Sequence, residues 1–271
     1  VRSINEAVET VSGVVDGGQD FGAPIGARII RGFGNPQEGN FRNGFPDGDF
    51  FTLTPLETIE RVEVLKGPAS VLFGSFEPGG IVNVVTRQPL REPYGKVKFE
   101  AGNNQLYQPS IDLSGPLTSD KDVLYRFIAS YQSAGSFQNF VDSEQTTIAP
   151  SISLKLGEKT SLNLYYEYNK FLANPNLLDS VRLSNGELTS RSFYTGYPDF
   201  NSFDATTQRF GYTLNHELND NWKIRNNVAV SAGLFDDERA RPGGVIDDSS
   251  LTGFTAFDLE YAKDNYFGQI L

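Results

Sequence analysis

The chain has 271 residues, no cysteine and no methionine, one histidine and a formal charge of −11. That acidic balance argues against a nucleic-acid partner, whose phosphates call for clustered Lys and Arg, and the lack of cysteine excludes a disulfide framework or a thiolate metal site. Hydrophobic residues make up only 38% and no apolar run reaches the length of about 18 that a membrane helix needs, whereas 13% aromatics and 27 glycines suit strands that are apolar on one face alone.

In chain order, residues 1–90 read as a Gly-rich α/β segment. Residues 5–11 predict a short helix that ends near Gly13. Residues 27–31 predict a strand, followed by the turn-rich Gly32-Phe33-Gly34-Asn35-Pro36. Residues 59–65 read as a strand or a helix–strand passage, and residues 81–86 as a third strand. Gly67, Gly74, Gly79 and Gly80 invite a phosphate-loop reading, but neither the Walker spacing nor G-x-G-x-x-G occurs. Turns with positive φ account for these glycines better.

From about residue 95 the pattern changes to segments that alternate with period two. Ile148, Ile152 and Leu154 share a face opposite Thr147, Ser151 and Ser153. Leu162, Leu164, Tyr166 and Tyr168 oppose Asn163, Glu167 and Asn169; Phe210, Tyr212 and Leu214 oppose Arg209, Thr213 and Asn215. About eight such strands are expected. Tight turns at residues 157–159 and 219–221 alternate with links near 134–145, 172–205 and 236–250 that read as long. An outer-membrane barrel has this asymmetry, with short periplasmic turns and long external loops; an ordinary antiparallel sandwich is the alternative. Eight strands closed on themselves are filled by their own side chains, whereas plugged barrels have about 22 strands. Eight strands left open in lipid would strand backbone groups without water. The pattern therefore reads as mainly β: a plug over residues 1–90, then residues 91–271 as the first eight or so strands of a 22-stranded antiparallel transmembrane barrel.

Ile30-Arg31-Gly32-Phe33, Asn43-Gly44, Ile59-Glu60-Arg61-Val62-Glu63-Val64-Leu65-Lys66-Gly67-Pro68, and Pro78-Gly79-Gly80-Ile81-Val82-Asn83-Val84-Val85-Thr86-Arg87 occur in that order. This series resembles the plug of TonB-dependent ferric-siderophore receptors of the Gram-negative outer membrane. Tyr94-Gly95-Lys96-Val97 resembles the start of their barrel. The resemblance implies a receptor and transporter rather than an enzyme, with a ferric siderophore as transported ligand, no intrinsic cofactor or metal site, and TonB and outer-membrane lipid as partners. The segment that TonB grips would lie upstream of Val1. Cobalamin, haem or a sugar on the same architecture is the alternative cargo, and a non-transport β-structured surface protein the more distant one.

In such a plug the apical loops meet the ligand, and here they correspond to residues 34–40 and 46–52. Phe50 and Phe51 would offer aromatic area to an organic chelate, with Phe33 as an apolar wall and Asn35 and Gln37 as amide donors. Packing within the plug is the competing role for the two phenylalanines. Arg28 and Arg31 could attract an anionic chelate, though Arg31 reads better as a fork that holds the plug's own loops. Glu60, Arg61, Glu63 and Lys66 form an alternating charge row that reads as a structural network between plug and barrel. His216 reads as an interface or lipid-facing residue. Asp236-Asp237 and Asp247-Asp248 read as solvated loop carboxylates, with calcium as the minor alternative.

Overall fold

A computed structural model of the protein describes residues 4–19, 26–33, 39–47, 53–67, 78–176, 181–183, 185–198, 200–247 and 250–270. Helix α1 (Ile4–Glu9) turns its apolar side, Ile4 and Val8, onto Val14, Ile30, Ile59, Val82 and Val84. Two small sheets surround that core. Strand β1 (Val14–Gln19) pairs antiparallel with β2 (Gly26–Ile30). The second sheet has the order β4 (Phe45–Pro46), β3 (Asn40–Arg42), β6 (Gly80–Thr86), β5 (Ile59–Lys66), with β3 parallel to β6. Strand β6 is central and covered on both faces, which is why it reads as a nearly continuous apolar run.

Two of the plug's sequence signals have a direct conformational cause. Asn43 and Gly44 both have positive φ, 51° and 86°, and close the two-residue turn between β3 and β4, as a type I′ hairpin requires. The Asn43 side chain then clamps β6. Its amide donates to Thr86 Oγ1 at 2.9 Å, and its carbonyl accepts from the Thr86 N–H at 3.0 Å. Gly79 is needed for close approach: a Cβ there would lie 2.1 Å from the Ile30 carbonyl oxygen.

The third sheet has eight strands in sequence order, each antiparallel to the next. They are β7 (Tyr94–Ala101), β8 (Tyr107–Pro116), β9 (Val123–Gly135), β10 (Asp142–Lys155), β11 (Thr160–Asn174), β12 (Ser202–Asn219), β13 (Trp222–Asp247) and β14 (Ser250–Ile270). This wall is inside out. Thr147, Glu167, Asn169 and Arg209 are at most 3% exposed, while Ile148, Phe127 and Phe210 in the opposite row are 37–45% exposed. A soluble sandwich buries its apolar row. Here the polar row is buried against the plug and the apolar row faces outward, the arrangement of a barrel standing in lipid.

The loop pattern differs from expectation in two places. Residues 136–141 form a short link, because β9 and β10 run on to meet it. Residues 236–247 are strand: β13 has 26 residues and β14 has 21, well beyond the ~9–11 that cross a bilayer. Asp236, Asp237 and Asp247 are therefore strand residues, not loop carboxylates. Their acidic, Gly- and Pro-containing sequence reads as loop, but ladder bonds with β14 hold it extended. The long link that remains, residues 175–201, marks the external end of the wall; residues 117–122, 156–159 and 220–221 turn at the periplasmic end.

Candidate functional site

A belt of buried ion pairs seats the plug against the wall. Arg42 of β3 donates through Nη2 to Glu167 of β11 and through Nη1 to Thr54 Oγ1 at 3.3 Å. Arg209 of β12 reaches Glu167 Oε1 at 2.7 Å and Asp47 Oδ2 of the plug at 3.4 Å. All four charged side chains are at most 5% exposed. Two cations against two anions satisfy the condition for charges held in a low dielectric. Burial pushes the Asp47 carboxyl up, and the guanidinium groups of Arg209 and then Arg42 pull it back.

A second group lies earlier in the wall, on β8 and β9. Arg126 of β9 grips Asp112 of β8 in a bidentate pair, Nε to Oδ1 at 2.8 Å and Nη2 to Oδ2 at 2.7 Å. Arg87, at the end of the plug's β6, adds Nη1 to the same Oδ2 at 2.9 Å. Asp112 stands in register with Ile128 and Ile128 with Ala149 on β8–β10, while Glu167 stands in register with Arg209 on β11 and β12.

Above the belt, the plug segment from Leu53 to Glu57 faces a cavity of about 1040 Å³ against β7–β11. Its wall side carries Lys98, Gln108, Gln132, Gln145 and Phe171. Leu53 is pinned at the cavity's edge: its carbonyl accepts from Asn169 Nδ2 at 3.0 Å and Gln145 Nε2 at 3.2 Å. The Leu53 side chain packs on Phe203, Ala205 and Phe235. Rings continue outward from it, Phe203 to Phe235 at 6.5 Å and Phe235 stacked on Tyr261 at 4.6 Å. Amides, cations and aromatic faces around a roomy cavity can read the periphery of an oxygen-rich organic chelate.

Of the residues singled out from sequence, Asn35, Gln37, Phe50 and Phe51 lie outside the described residues, as does Asp248. Phe33 is exposed and pairs through its backbone with Ile30, its N–H donating to the Ile30 carbonyl at 3.1 Å. Arg31 adopts a left-handed φ of 55° and donates its N–H to the Gly13 carbonyl at 2.8 Å. Its Nη1 lies 3.7 Å from where a Gly67 Cβ would stand, so its described neighbours belong to the plug. Arg61 pairs with Glu63 at 2.8 Å, and Glu63 accepts from Asn83 at 2.9 Å, again within the plug; Glu60 and Lys66 are exposed. The Asn83 hydrogen bond, then that of Arg61, holds the Glu63 carboxyl below the usual glutamate range. His216 bonds Thr160 across strands at 2.9 Å. The seat itself, Arg42, Asp47, Arg87, Asp112 and Arg126 with Glu167 and Arg209, escaped sequence reasoning. The available signal was charge recurring in the polar rows of β11 and β12, on the face that lipid does not touch.

Comparison with known proteins agrees with this geometry. Residues 1–81 match the family model of the TonB-dependent receptor plug domain. The metal-pseudopaline receptor CntO of Pseudomonas aeruginosa is 36% identical over 171 residues, which cover 62% of this chain and 24% of that protein. The ferrichrome outer membrane transporter/phage receptor of Escherichia coli K12 is 28% identical over 260 residues, 91% of this chain and 34% of the relative. The chain thus spans about a quarter to a third of the length of these relatives, which are outer-membrane receptors and transporters, not enzymes. Among solved structures, the pyoverdine receptor FpvA of P. aeruginosa PAO1 aligns with a TM-score of 0.89 at 22% identity, over 99% of this chain and 40% of that one. The ferric-catecholate import receptor Fiu of E. coli K12 gives 0.83 at 19%, over 100% and 43%. Residues 1–81 are thus a TonB-dependent receptor plug domain by sequence, and the chain as a whole has the fold of such a plug with eight consecutive wall strands.

Proposed function

We propose that the receptor containing this chain takes a ferric siderophore from outside and imports it by TonB-coupled displacement of the plug. The observation that carries this reading is the cavity between the plug and an inside-out wall, open to cargo where amides and aromatic rings face it. The siderophore keeps the iron's coordination sphere, and the protein reads its surface through Phe33, Asn35, Gln37, Phe50 and Phe51 together with the wall residues above Leu53. Glu60, Arg61, Glu63 and Lys66, with Arg31, keep the plug in shape while it is moved. Short plug strands joined by Gly and Pro turns rearrange locally at lower cost than the long ladders of the wall. Named relatives bind ferrichrome, ferrioxamine B, pyoverdine and metal–pseudopaline, and these supply the candidate cargo classes.

The test is quenching of intrinsic fluorescence in the detergent-purified full-length receptor, titrated with those four chelates, haem and cobalamin. Saturable quenching by a ferric siderophore, weakened when Phe50 and Phe51 are replaced by Ala, is the expected result. Response to haem or cobalamin alone would replace the cargo, and silence across the series would remove the siderophore assignment. Uptake that persists after the inner-membrane proton gradient is collapsed would overturn the coupling.

A further inference from the structure

We infer that Arg239 is a specificity-determining residue, which binds a single pendant oxyanion on a ferric chelate whose body occupies the cavity beside Leu53; the inference rests on the transport reading above. Phe235, Asp237 and Arg239 form the buried row of β13, while Asp236 faces the other way and is exposed. The strand starts at the periplasmic turn with Trp222, so Arg239 lies past the ~9–11 residues that cross a bilayer, on the external side. Its guanidinium is held in place: Nε donates to Asp237, and Cζ lies 6.0 Å from the ring centroids of both Phe203 and Phe257. Yet the side chain is 1% exposed, and its Nη1 finds no hydrogen-bond acceptor among the described residues. A buried cationic donor without an acceptor is costly. Arg42 Nε is also unpaired, but Arg42 lies within the seat, where two carboxylates face two cations. Arg239 faces one carboxylate, and only through Nε.

The unpaired donor is one aromatic ring away from the cavity. Leu53 and Phe171 line the cavity. Phe171 meets Phe203 ring to ring at 6.2 Å, Leu53 packs on Phe203, and Phe203 in turn carries Arg239. A compact chelate in the cavity reaches Arg239 only through an arm that crosses Phe203. An oxyanion at the end of that arm suits the site, because a planar guanidinium offers directed N–H groups to a carboxylate. Phe257 stands opposite Arg239 in register on β14 and is half-buried. Turning its ring opens Nη1 by a rotamer change that leaves the ladder intact. The surrounding charge limits the cargo to one such group. Asp236, Asp258 and Glu260 are exposed on the same two strands, and their field repels a chelate of high negative charge. The class read by this site is a near-neutral ferric chelate with one carboxylate-bearing arm.

The probes are ferrioxamine B, whose pendant arm ends in an ammonium group, and its N-succinyl derivative, in which the same chelate carries an arm that ends in a carboxylate. Binding of each to the detergent-purified full-length receptor is read by fluorescence quenching. The unmodified receptor should favour the succinyl form by roughly tenfold, the effect of one charge-assisted hydrogen bond. Arg239→Gln should bring the ratio of the two affinities close to one. Because that change strands Asp237, the double variant Arg239→Gln with Asp237→Asn replaces the pair by neutral groups and should give the same ratio. Asp237→Asn alone keeps the cation, removes its competitor and should raise the ratio. No preference in the unmodified receptor, or a preference for the ammonium form, would overturn the assignment. So would a fall in both affinities with the ratio kept in the Arg239 variants, which would mean that Arg239 only braces β13. If neither probe binds while ferrichrome or another chelate of the series quenches, the transport reading stands and this one falls; silence across the whole series removes both.

Discussion

The plug and the wall solve the problem of solvent in opposite ways. The plug buries Ile4, Val8, Val82 and Val84 and turns Arg61 and Lys66 outward, as a water-soluble domain does. The wall buries Glu167, Asn169 and Arg209 and turns Ile148 and Phe210 outward. Each is sensible only beside the other. Lipid accepts the wall's apolar row, and the plug's charges neutralise the wall's polar one. The lesson is that a buried polar row here is not a defect of packing but a socket, and its partner is encoded more than a hundred residues away.

The comparison breaks most sharply at the socket. Replacing Glu167 with Ala leaves Arg42 and Arg209 against Asp47 alone, and loss of one partner from a buried pair costs roughly 3–5 kcal/mol. Protease sensitivity of the plug should rise steeply while the barrel keeps its folded mobility in unheated gels; a plug as resistant as before would show that the seat is held elsewhere. Next in size, Ile148→Lys should cost about 2–4 kcal/mol in bilayer folding titrations, because it puts a charge on the lipid face at mid-strand. Thr147→Val, one residue away, should cost less than half of that. Equal costs at the two positions would dissolve the distinction between faces.

Smaller effects sharpen the plug's side of the comparison. Asn43→Ala removes the clamp on Thr86 and places an alanine at positive φ, at a cost of about 1–2 kcal/mol. Faster hydrogen exchange at the β6 amides should report it, and unchanged protection would deny the clamp. The smallest effect is the pH dependence of Glu63. Its carboxyl is held down by Asn83 and Arg61, so its contribution is present above the unfolded glutamate pKa and is lost as pH falls through the lowered one. Because Glu63 is about one-third exposed, solvent screens the effect. Replacement by Gln should flatten the acid limb of plug stability slightly, and an unchanged limb would assign that slope to other carboxylates.

Much of this was legible in the residues. Alternation in 147–154, 162–169 and 209–215 marked strands with two unlike faces, because a pleated ladder sends neighbouring side chains to opposite sides. The ordered plug motifs from Arg31 to Arg87 named their structural context, but Gly79, read as a turn with positive φ, has none and is instead needed for close approach to the Ile30 carbonyl. What misled was local composition: Asp236, Asp237 and Gly243 look like loop, yet stand in a ladder whose bonds come from β14.

The sequence by itself determined the periods, the turns and the family resemblance, since each depends on neighbours a few residues apart or on motifs in fixed order. Only the tertiary structure decided which face looks at lipid and which charges meet. Alternation has no sign until something stands on one side of the sheet. The pairing of Arg42 with Glu167 spans 125 residues, and nothing local distinguishes it from any other arginine and glutamate. The plug's position inside the wall supplies that sign, and with it the seat and the cavity beside Leu53.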